Sequence, residues 1–120
     1  MAPINLPWNK HEIALLLAYC IMIYNGAISM KNAISILSKR LRYSMEKMGI
    51  KVSETYRNEN GIALQIQSMN CCLFGAKKGI KCKTLLFKDI ASLYNSDKKV
   101  FAELLECAIR KYPFVKLDAI

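Results

Sequence analysis

A chain of 120 residues with 53% apolar content is sized for one domain with a core of its own, so it needs neither a disulfide scaffold nor a structural metal to fold. Eighteen Lys and Arg stand against nine Asp and Glu, a net charge of +9, and residues 31–83 hold eleven of the cations and three of the acids. An excess of +8 confined to that segment favours a polyanionic partner over general solubility.

The chain opens without a basic region followed by a cleavable apolar stretch, so no signal peptide is expected. Asn9 with Glu12 three residues on reads as a capping box, with Pro7 and Trp8 fixing the entry. From Ile13 to Tyr24 almost every position is apolar, which predicts a helix surrounded on most sides until Asn25-Gly26 ends it. Twelve residues are too few to span a bilayer, so the segment reads as a central strut and no membrane contact is expected. His11, the single histidine, reads as an exposed imidazole in the first turn.

Ser29 is the expected cap of a second helix whose Met30, Ala33, Ile34, Leu37, Leu41, Met45 and Met48 keep a three-four spacing until Gly49. Its other side carries Lys31, Lys39, Arg40, Arg42 and Lys47 with Ser35, Ser38 and Ser44 between them. Residues 50–56 alternate weakly and read as an extended connector.

The stretch from Tyr56 to Asn70 combines a helix start, a buried stripe and a polar outer face. Ile62, Ile66, Met69 and Leu73 turn one stripe inward, leaving Asn60, Leu64, Gln67, Ser68 and Cys71 outward. Asn58 or Asn60 supplies the cap, and Gly61 leaves the first turn bare. Side-chain amides and a flanking Arg57 at a helix start are equipment for reading base edges, which makes Arg57, Asn58, Asn60 and Gln67 the candidate base contacts.

Residues 74–84 follow as a basic loop with Lys77, Lys78, Lys81 and Lys83, suited, with Lys39, Arg40 and Arg42, to contact phosphates. Thr84 is the expected cap of a fourth helix with Leu86, Phe87, Ile90, Leu93 and Tyr94 inward. Asn95 to Asp97 turn the chain into a fifth helix carrying Val100, Phe101, Leu104, Leu105 and Ala108, and an apolar tail follows Pro113. The expected architecture is a single all-α domain of about five helices. Within it, residues 8–73 form a helix-turn-helix-like three-helix reading unit, residues 85–111 are packing helices and residues 112–120 are the tail.

Catalysis is not expected. His11 lies in a different segment from all five cysteines, no Walker spacing surrounds Gly75 and Gly79, and no acidic cluster is present to hold a metal, so neither metal nor cofactor is anticipated. The odd cysteine count without a CxxC pair, with Cys20 and Cys107 on apolar faces, suits free thiols in a reducing cytoplasm.

The order Trp8 to Glu12 at a helix start, Leu37-Ser38 in a second helix, and Tyr56-Arg57-Asn58-Glu59-Asn60-Gly61-Ile62 with Gln65 and Met69 resembles the helical N-terminal domain of some bacterial HNH-type restriction endonucleases. Gly79-Ile80 and Leu86 to Ile90 look like its continuation, so the likeness covers about residues 8–105. It is also distantly similar to Myb and helix-turn-helix arrangements whose third helix reads DNA. The resemblance implies duplex DNA recognition in a restriction or phage-defence setting, with the nuclease or another effector carried elsewhere, because one histidine cannot furnish a His-Asn-His metal site. The rival expectation is a protein-interaction or assembly module that uses the Leu64 side of the third helix and the apolar tail.

Overall fold

Asn9 starts the first helix by the reciprocal contact its spacing predicts: its Oδ1 accepts from the Glu12 amide at 2.9 Å, and its own amide donates to Glu12 Oε1 at 3.1 Å. The computed structural model describes residues 7–75 and 85–113. Five helices follow one another in it, α1 (Lys10–Tyr24), α2 (Met30–Lys47), α3 (Glu59–Phe74), α4 (Leu85–Ser96) and α5 (Lys98–Lys111), with no strand among the described residues. The all-α bundle expected from the apolar periodicity is the observed architecture.

The central strut is α1. Residues 13–17, Tyr19 and Cys20 are buried, and the helix packs against each of the other four. Its first residue, Lys10, and its last turn project, with Tyr24 70% exposed. No described helix is long and apolar enough to cross a membrane.

Ser29 caps α2 by accepting from the Asn32 amide at 3.1 Å, and Ala33, Leu37, Leu41 and Met45 form the buried stripe. Met30 and Met48, expected in that stripe, are exposed at its two ends. Gly49 adopts φ 75°, the left-handed conformation that ends the helix at low steric cost. The connection from α2 to α3 spans residues 48–58, far longer than the three- or four-residue turn of a helix-turn-helix.

Asp97 caps α5 by accepting from the Val100 amide at 3.2 Å, and Phe87, Ile90, Phe101 and Ala108 carry α4 and α5 into the same core as α1, α2 and α3. Thr84, the expected cap of α4, lies outside the described residues. Cys107 is exposed rather than seated on an apolar face. Cys20 is buried, and that burial pushes its thiol up to about 12, so it behaves as a small hydrophobe. Cys71 is disulfide-bonded, which corrects for that residue the expectation of free thiols.

Candidate nucleic-acid interface

The residues proposed from sequence separate into two groups once the connector before α3 is followed. Arg42 on α2 donates through Nη1 to the carbonyl of Ser53 at 3.0 Å and to that of Tyr56, which draws residues 53–56 back against the helix. Arg57 follows with φ 48°, a left-handed conformation uncommon for a residue with a side chain. Its carbonyl accepts from the buried Ser38 Oγ at 2.6 Å, which helps hold that conformation in place.

Held this way, the Arg57 side chain runs into the protein. Its Nε lies 2.8 Å from Glu12 Oε2 and its Nη2 donates to Glu12 Oε1 at 3.0 Å, a two-pronged pair whose side chains are 5% and 3% exposed. Nη2 also donates to the Pro7 carbonyl at 3.3 Å. The guanidinium carbon stands 4.8 Å from the Trp8 ring centroid and 4.6 Å from that of Tyr56, and Trp8 in turn meets Phe87 of α4 edge-on. Arg57 is therefore a structural cation that ties α1, α2 and the start of α3 together. The expectation of a base contact is corrected for it, since the residue is buried and its Nε and Nη2 both point inward.

Arg40 is corrected in the same way. It is buried, with Nε donating to the Tyr112 carbonyl at 2.8 Å and Nη1 to the Tyr19 hydroxyl at 3.0 Å, so it fastens α2 to the end of α5 and does not face phosphate. Arg42 is half-buried and committed to the connector carbonyls. Lys39 alone of that trio is exposed. Lys77, Lys78, Lys81 and Lys83 lie outside the described residues.

Between Asn58 and Asn60 the capping role falls to Asn58, whose Oδ1 accepts from the Gly61 amide at 2.8 Å. A methyl group at Gly61 would stand 3.0 Å from that same oxygen, so the glycine makes room for the cap. Asn58→Ala is expected to lower stability by about 1 kcal/mol and Asn60→Ala by less than about 0.5 kcal/mol. Paired thermal melts check this, and equal losses would return Asn60 to the cap.

On α3 the inward stripe is Ile62, Ile66 and Met69, all fully buried, with Leu73 partly buried behind them. Asn60, Leu64 and Gln67 face outward as expected, Leu64 being 60% exposed. Ser68 and Cys71, expected on the same outer face, are buried at 7% and 4%, because α1, α2 and α4 all pack on this helix and cover more of it than one stripe.

Among the described residues no three His, Cys, Asp or Glu come together as a metal would require. Half-buried His11 has its pKa lowered, first by burial and then by Lys111 and Lys10. Burial raises the Cys72 thiol against the opposing pull of Lys88. A cavity of about 170 Å³ lies between the start of α1, the end of α2 and Tyr112, and the carboxylate that lines it, Glu12, is the one Arg57 holds. Burial pushes the Tyr56 and Tyr112 hydroxyls that border it upward, so neither supplies a phenolate near neutral pH.

Compared with known protein families, curated proteins and solved structures, the chain matches none.

Proposed function

We propose that this chain is a non-catalytic domain that binds double-stranded DNA with the outer stripe of α3. Asn60 and Gln67 approach base edges, while Lys39 and the sequence-adjacent Lys77, Lys78, Lys81 and Lys83 neutralise phosphates. The observation that carries this reading is that Asn60 and Gln67 are both exposed on one stripe, two turns or about 10 Å apart, within the segment that holds nearly all the excess positive charge. A side-chain amide bonds adenine N6 and N7 together, so two amides at this spacing address separate bases in one major groove. With Arg57, Arg40 and Arg42 spent inside the fold and Asn58 on the cap, this is a smaller contact set than the sequence suggests. The resemblance noted in the sequence adds the setting: restriction or phage defence, with a nuclease or other effector supplied by a separate domain or protein.

The test is duplex binding across a salt series. Asn60→Ala or Gln67→Ala is expected to cost about 1–3 kcal/mol on a preferred site while leaving non-specific binding intact. Neutralising the four loop lysines should flatten the slope of log affinity against log salt by up to about 3.6, at ~0.9 per phosphate contact. Unaltered site preference together with an unaltered slope would remove the reading.

One observation favours a second reading. Leu64 stands between the two amides with 60% of its surface exposed, which suits a protein partner better than a base edge. A complex insensitive to salt and broken by Leu64→Ala would establish that alternative.

A further inference from the structure

The outer stripe of α3 does not stop at Gln67. Seven residues further on is Phe74, so Asn60, Gln67 and Phe74 share one line down the helix at two-turn intervals, about 21 Å in all. Phe74 is 48% exposed and lies face to face with Tyr24 from the end of α1, the ring centroids 4.5 Å apart and the planes 18° from parallel. Tyr24 is itself 70% exposed. The pair thus combines a stacked ring geometry with substantial exposure of both residues, where α1 and α3 end.

We infer that the Tyr24–Phe74 stack is a platform for an unpaired nucleobase. A helix that reads a duplex does so with its first turns, and the groove curves away from a straight helix, so the far end of this stripe stands clear of paired bases. Only a base already outside the duplex, from a single strand, a junction or an extruded nucleotide, presents a face to the rings. Stacking of this kind accepts any base, since every base has a π-face, and it works with cationic surroundings that draw in the backbone. The sequence supplies charge of the matching sign: Phe74 lies in the segment 31–83 that carries the +8 excess. The platform extends the reading of α3 given above, but it does not depend on the duplex contact.

The probe is a short single strand carrying one 2-aminopurine, compared with the same base inside a fully paired duplex. Binding should quench the single-stranded probe. Tyr24→Ala and Phe74→Leu should each weaken its binding roughly 5- to 150-fold, and Phe74→Tyr should retain it. Both sites are exposed, so circular dichroism should find the variants folded. Unquenched probe, or Tyr24→Ala and Phe74→Leu variants that bind the single strand as the parent does, overturns the platform. So does a stack whose loss alters self-association in sedimentation and not oligonucleotide affinity. Paired-duplex binding that needs Asn60 and Gln67, with a single strand bound equally by the parent and by Phe74→Leu, removes the platform and keeps the duplex reading. Phe74-dependent single-strand binding without duplex binding does the reverse.

Discussion

Arg57→Ala should cost about 3–5 kcal/mol of folding stability, a large fraction of the roughly 5–15 kcal/mol available to a domain of this kind. The reason is the carboxylate left behind. Glu12, 3% exposed in its side chain, would lose both prongs of its ion pair and keep only the capping contact with the Asn9 amide. The aromatic pocket of Trp8 and Tyr56 would lose its cation at the same time. Denaturant titration measures the loss. Replacing both partners by methionine should recover part of it, since an apolar pair leaves no buried charge unmatched. A loss below about 0.5 kcal/mol for Arg57→Ala would place the pair in the class of exposed bridges and dismantle the structural role given to it. If enough folded protein remains, its affinity for a duplex should match the parent's, because the guanidinium faces inward.

Leu16→Ala and Leu37→Ala are the second pair of large effects. Both side chains are fully buried, one on the central helix and one on α2, and each truncation removes apolar contact and leaves a cavity in a core to which all five helices contribute. Each should cost about 2–5 kcal/mol, read as a lower denaturant midpoint with an unchanged slope. A loss under about 0.5 kcal/mol at either site would contradict the burial given to that side chain.

Local signals were the most legible part of the chain. Asn9 and Ser29 cap through partners three residues away, so their roles follow from spacing alone, and the Ile62, Ile66, Met69 stripe correctly left Asn60, Leu64 and Gln67 outside. What the sequence hid was pairing across distance. Nothing local in Tyr56-Arg57 says that its guanidinium will be claimed by a glutamate 45 residues earlier, and a helix-start arginine reads the same whether it turns outward or in. Arg40 is a different case. It stands three residues after Leu37 and one before Leu41, beside the apolar stripe, so helical spacing already pointed it toward the core. Ser68 and Cys71 were misplaced for a third reason: a single stripe describes a helix with one packed side, and α3 has three neighbours. The exposure of the amides thus followed from spacing, whereas the inward turn of Arg57 did not.

The last residue of α5's cap joins what comes earliest. Tyr112 accepts from the Asn9 side chain through its hydroxyl at 2.9 Å and from Arg40 through its carbonyl, and α5 is the broadest neighbour of α1. During synthesis that order matters. At roughly 5–20 residues per second, on the order of 10 seconds separates the emergence of α1 from that of α5. For that interval a helix apolar on nearly every side waits on the ribosome without the surface that closes over it, and the nascent chain depends on chaperones, or on the provisional cover of α2 and α3, to reach the helix that completes it.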